Sequence, residues 1–129
     1  MRRYSNGLRR FFPTPTPFVL GILIACVSIH VLIMVLKSVN PELAIKILTA
    51  GMLTPAGVLR QPWTIVTMAF LHDPYSLFHI LFNMVALASI GPWLERALGT
   101  KRFASLYAIA MLCGSAVFIG YGLLFGDPA

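Results

Sequence analysis

His79 and Asn83 stand four positions apart inside an apolar stretch long enough to cross a lipid bilayer. Four residues is about one helical turn, so both side chains leave the same face of one helix. Hydrocarbon satisfies neither an imidazole nor a carboxamide. The spacing therefore predicts that the pair looks into protein or a water-filled pocket, and it marks a functional site. Hydrogen bonding to a neighbouring helix is the other use such a pair can have. No serine or histidine placed to work with the pair follows it. Seven residues separate His72 from His79, which suggests a metal or haem site two turns apart. Asp73-Pro74, however, places His72 outside the helix and no third ligand is evident, so no metal and no cofactor is expected. His30, in an earlier apolar stretch, reads as a packed or hydrogen-bonded histidine.

The composition says what surrounds these residues. The chain of 129 residues is 58% hydrophobic and only 11% charged, with a mean hydropathy of +0.84. One small soluble core cannot hide that much apolar surface, whereas a multi-pass membrane protein exposes it to lipid. The net charge of +6 is not gathered on one face. Arg2, Arg3, Arg9 and Arg10 precede the first apolar stretch, and Arg96, Lys101 and Arg102 lie between the second and third. This is the distribution of loops retained on the cytoplasmic side, and nucleic-acid binding is not expected. Cys26 and Cys113 both fall in apolar stretches, without metal-ligand spacing, and read as small buried hydrophobes.

Three stretches are long enough to span: 18–36, 74–94 and 103–125. Residues 1–17 form a basic cytoplasmic N-terminus; its Arg9-Arg10-Phe11-Phe12 resembles an export signal, but the apolar core after it is anchor-length. Pro17 suits the first position of a helix. The basic residues then place the N-terminus and the 95–102 loop inside, the 37–73 loop outside, and the chain in a bacterial cytoplasmic membrane. The outer loop is apolar but too interrupted to span. Asn40-Pro41-Glu42 signals a short helix ending near Gly51, Thr54-Pro55-Ala56-Gly57 signals a turn, and Pro62 opens a second short apolar piece, 63–71. Such pieces lie in the outer leaflet, with Trp63 at headgroup depth. The second spanning helix has Asp73-Pro74 as its start signal and Gly99 as its stop. The third carries small residues at four-residue spacing, Ala104/Ala108, Ala110/Gly114 and Ala116/Gly120, which permit close helix packing.

Taken together, Gln61-Pro62-Trp63, Phe70-Leu71-His72, His79-Ile80-Leu81-Phe82-Asn83-Met84 and Gly91-Pro92-Trp93-Leu94-Glu95 through Gly99 make the chain resemble the rhomboid intramembrane serine proteases. The resemblance runs from about residue 18 to 125 and implies an all-α, polytopic membrane protein. Its three transmembrane helices would match the first half of the six-helix rhomboid core. It also implies that Asn83 donates its carboxamide N–H to the oxyanion of a tetrahedral intermediate, with His79 stabilising the same charge. Glu95 and Gly99 would fix the inner end of the second helix and Trp63 would anchor the outer loop. Where the family commonly has Arg after that Trp, this chain has Thr64, which leaves open how the loop is held.

The family's nucleophile lies in Gly-x-Ser-Gly at the start of the fourth helix and its base histidine in the sixth. Neither has a counterpart in these residues. Ser115, in Cys113-Gly114-Ser115-Ala116, lacks the flanking glycines and reads as a packing residue. Ser76 lies in a first helical turn, where serine usually serves the backbone. A serine without a positioned base is a weak nucleophile. The expectation is therefore the N-terminal portion of an intramembrane serine endopeptidase acting on transmembrane substrates, inactive alone. A catalytically inactive rhomboid-like protein binding transmembrane clients, and a small accessory subunit of a membrane complex, are the alternatives.

Overall fold

The computed structural model describes residues 13–126; the N-terminal arginines and the segment 127–129 lie outside the described residues. Five helices follow one another: α1 Pro17–Val39, α2 Pro41–Gly51, α3 Thr64–Thr67, α4 Leu77–Leu98 and α5 Thr100–Phe125. No strand occurs among the described residues, and α1, α4 and α5 are each long and apolar enough to cross a membrane. With mostly apolar outer faces, these helices make the chain an integral membrane protein of the all-α, multi-pass class.

The local signals explain several ends. Pro17 opens α1, and Asn40 caps α2 by accepting the Leu43 N–H at 3.1 Å, with Pro41 next in line. Gly99 closes α4 with φ of +78°, a backbone region that side-chain-bearing residues avoid. This single residue reverses the chain, so the expected inner loop 95–102 is helical on both sides of Gly99. The start of the second spanning helix also differs from the Asp73-Pro74 expectation. Asp73 Oδ1 accepts the Tyr75 N–H at 2.8 Å and the Asp73 carbonyl accepts the Ser76 N–H at 3.2 Å. The aspartate thus closes a turn of its own, and the helix begins only at Leu77 with Ser76 as N-cap.

Packing centres on α1, which meets α2 on one side and α4 on the other, while α5 rests on α4. Val19 is fully buried where α1 crosses Gly91; a Cβ there would stand 2.8 Å from Val19 Cγ2. Glycine is what lets the two backbones approach. Just beyond, the carboxylate of Glu95, only 3% exposed, reaches across to the start of α1. It accepts the Thr16 hydroxyl at 2.5 Å and the Val19 and Phe18 N–H groups at 3.1 and 3.3 Å, and it also accepts the Thr100 hydroxyl at 2.9 Å. The first N–H groups of a helix have no partner within it, and a carboxylate is favoured at that end of the helix dipole. Glu95 is in effect the N-terminal cap of α1, supplied from α4. Arg96 adds a hydrogen bond to the Thr14 carbonyl, and Phe18 packs edge-on against Phe103 and Tyr107 of α5.

At the other end, the loop between α2 and α4 folds back on itself. The Trp63 indole N–H donates to the Ala50 carbonyl at 2.8 Å, and the Thr67 hydroxyl donates to the Gly51 carbonyl at 2.6 Å. Both occupy carbonyls at the end of α2 that its own helix leaves open. Thr64, at the position where an arginine is common, is buried and donates to the Gln61 carbonyl at 2.6 Å. The loop is thus held by hydroxyls and an indole. Pro55 of this loop packs on Gly122, near the end of α5.

Candidate functional site

Between α4, α5 and the segment entering α4 lies a cavity of about 360 Å³, lined by Met68, Ala69, His72, His79, Asn83, Met84, Leu87, Tyr107, Ala110, Met111 and Gly114. The helix supplies the alignment: His79 and Asn83, one turn apart on α4, both contribute to its wall. Ala110 and Gly114 of α5 leave the room. A larger residue at either place would project from α5 into the same space.

His79 and Asn83 are exposed on the open side of this cavity. Hydrogen bonds nearby end elsewhere: the Cys26 thiol contacts the Ala69 carbonyl, His72 the Phe70 carbonyl, and Ser115 the Met111 carbonyl and Met68 sulfur. Among the described residues none reaches the side chain of His79 or Asn83. Two donor-bearing groups thus face one space with their capacity unspent.

His72 is where the structure departs most from the reading of spacing. It does lie outside α4, yet its ring stands edge-on to that of His79, with centroids 5.5 Å apart and planes at 69°. The turn at Asp73–Ser76 folds the segment back and restores the proximity that a continuous helix would have provided. Burial pushes the His72 pKa below the ordinary histidine value, aided by the neighbouring His79 and His30 and opposed by the Phe70 carbonyl, which its Nδ1 meets at 3.4 Å. The two rings do not make a metal centre by themselves: no group of three His, Cys, Asp or Glu side chains converges among the described residues.

The other side chains named by the sequence do not line this cavity. Ser115 is buried within α5, its hydroxyl 2.9 Å from the Met111 carbonyl and 3.2 Å from Met68 Sδ, a packing position. Ser76 makes no side-chain cap bond. His30 is packed, 6% exposed, which is the first of the two roles expected of it, and neither ring nitrogen has a hydrogen-bond partner among the described residues. Cys26 is buried but Cys113 is exposed, and both are free thiols, which corrects the expectation that both are buried. Spacing gave no sign of Tyr107 or of the three methionines, which enter the cavity from α5, α4 and the segment after α3. Methionine is flexible and polarisable and adapts to whatever shares the space.

The family model described as the Rhomboid domain matches residues 59–125, which includes every cavity-lining residue. The rhomboid protease GlpG of Yersinia pestis (strain Pestoides F) and that of Yersinia pseudotuberculosis (serotype O:3, strain YPIII) are each 32% identical to the chain over 106 residues, covering 82% of it and 34% of their own length. Rhomboid-like protease 3 of Toxoplasma gondii is 29% identical over 98 residues, covering 75% of the chain and 36% of its own length. The chain spans about a third of the length of the curated relatives it matches. No solved structure matches it.

Proposed function

The chain belongs to the rhomboid family, and on that premise we propose that it is the oxyanion-binding portion of an intramembrane serine endopeptidase that cuts membrane-anchored proteins. Asn83 donates its carboxamide N–H to the oxygen of the scissile carbonyl as that oxygen becomes negative, and His79 donates from one turn away. The nucleophilic serine and its base histidine come from sequence beyond these residues, which contain no Gly-x-Ser-Gly. The three long helices are then the first half of the catalytic core. Glu95 and Gly99 hold the inner end of α4 and Trp63 fixes the outer loop. The observation that carries this reading is the cavity itself, with both donors on its wall and neither spent on the protein.

Donors fixed on a rigid helix need no reorganisation as charge develops, and in a water-poor pocket each is worth more than in water. Rigidity here comes from α4, whose inner end is tied to α1 by Glu95 and whose outer entry is held by the Asp73 turn. Arg96, Lys101 and Arg102 cluster at the Gly99 end, so that end faces the cytoplasm. The cavity then opens toward the α2–α3 side of a bacterial cytoplasmic membrane. Cleavage of a single-span reporter protein by the full-length protein tests the assignment. Asn83→Ala is expected to lower kcat by about 10²–10³; an unchanged kcat would remove Asn83 from the mechanism. If the full-length protein binds the reporter without cutting it and resists labelling by a fluorophosphonate, the client-binding alternative replaces the protease reading.

A further inference from the structure

His79 and Asn83 both end in a torsion that no hydrogen bond among the described residues fixes, but of the two only His79 has an aromatic ring beside it. The terminal torsion of an imidazole is broad, so a ring on the open side of a helix, with no hydrogen bond to hold it, samples many orientations. A hydrogen-bond donor helps a transition state only if it already points at the developing charge. Some contact has to restrict the ring, and among the described residues the aromatic contact made by His79 is with His72.

His72 is suited to this. It is buried, and its Nδ1 lies 3.4 Å from the Phe70 carbonyl. A carbonyl can only accept, so this contact favours the neutral tautomer that carries its proton on Nδ1. Its segment is pinned from three directions. Asp73 closes the turn through Tyr75 N–H at 2.8 Å, the Ser76 N–H donates to the Asp73 carbonyl at 3.2 Å, and the Lys37 ammonium of α1 sits 3.6 Å above the Tyr75 ring. The edge-on face that His72 presents to His79 is therefore part of a rigid loop anchored to a different helix.

We propose that His72 is a positioning residue that sets the ring orientation of His79 through this edge-to-face contact, itself held by the Lys37–Tyr75–Asp73 turn. The inference deepens the oxyanion reading and rests on it for its catalytic consequence, while the ring coupling stands independently. The nitrogens of His72 take no part in the chemistry; its shape and place do the work.

The test uses the full-length protein in detergent micelles with ¹⁵N-labelled histidine, alongside the cleavage assay. In the unsubstituted protein, ring protons of His72 and His79 are expected to show a mutual nuclear Overhauser effect; its absence overturns the proposal whatever any variant does. His72→Ala is expected to shift or broaden the His79 ring signals. It should lower kcat roughly 10- to 100-fold with KM nearly unchanged, in the range of about a 1 Å misplacement. His72→Phe keeps a flat ring without nitrogens and is expected to restore most of kcat and the His79 signals. Unchanged His79 signals in His72→Ala, or a loss in His72→Phe equal to that in His72→Ala, would overturn the positioning role. If the rings are coupled but His79→Ala leaves cleavage intact, the oxyanion reading has failed for His79 and the structural coupling has not.

Discussion

Two polar sites sit on the same helix, one at each end of α4, and they are built in opposite ways. At the C-terminal end, Glu95 is buried and accepts four hydrogen bonds, three of them from the start of α1. Toward the N-terminal end, His79 and Asn83 line an open cavity, and no hydrogen bond from another described residue reaches their side chains. A charged group in an apolar setting is tolerable only when its partners are supplied, because an unpaired buried charge is far more costly than the pair is stabilising. Glu95 meets that demand and so reads as structure. His79 and Asn83 leave theirs open toward a cavity, which is the arrangement expected of groups that bind something not part of the protein's own packing.

If the contrast is sound, disturbing the two ends should have separable consequences. The largest effect expected is on rate, from Asn83→Ala: about 10²–10³ in kcat, with the melting temperature in detergent within a degree or so of the unsubstituted protein. A parallel fall in melting temperature would show that Asn83 holds the fold as Glu95 does. Next is Glu95→Ala, which strands two backbone N–H groups and two hydroxyls and is expected to cost roughly 3 kcal/mol, seen as a lowered thermal midpoint. Glu95→Gln should recover part of this, because an amide oxygen still accepts. Third, Gly91→Ala pushes a methyl group against Val19 and is expected to cost about 1–3 kcal/mol through separation of α1 from α4, read by the same unfolding measurement.

The smallest effect concerns pH and sharpens the contrast at the cavity end. The folded protein holds the His72 pKa below its ordinary value of 6.5, chiefly by burial. The unfolded chain therefore binds more protons in that window. The stability contributed by neutral His72 is fully present above pH 6.5 and is lost as pH falls through the lower folded value. Melting temperatures of the unsubstituted protein and of His72→Phe, compared from about pH 7 to pH 5, should diverge, with only the unsubstituted protein losing this increment. Parallel curves would show that His72 is not kept neutral by its surroundings.

Much of this molecule is legible from short-range rules. Apolar length alone predicts three spans, the four-residue interval puts His79 and Asn83 on one face, and Asn40 and Gly99 act as helix start and stop. Asp73 shows where such rules run out: the same residue is a helix cap or the hinge of an Asx turn depending on which N–H it meets, and only the folded chain chooses Tyr75. The loop expected over 95–102 collapses to Gly99 because Glu95 finds its partners at the start of α1, more than seventy positions away in the chain, and so stays helical. Composition cannot reveal that pairing.

What the sequence determined by itself is therefore the class of molecule and the face on which its two donors lie, since periodicity, capping and hydropathy act over a turn or two and survive any arrangement of the helices. Only the tertiary structure decided which groups those residues meet. It brought His72 against His79 through a turn, left both nitrogens of His30 without a partner among the described residues, and spent the Trp63 indole on the Ala50 carbonyl. Contacts between residues far apart in the chain depend on how whole helices pack, and packing is a property of the assembled surfaces rather than of any local string of residues.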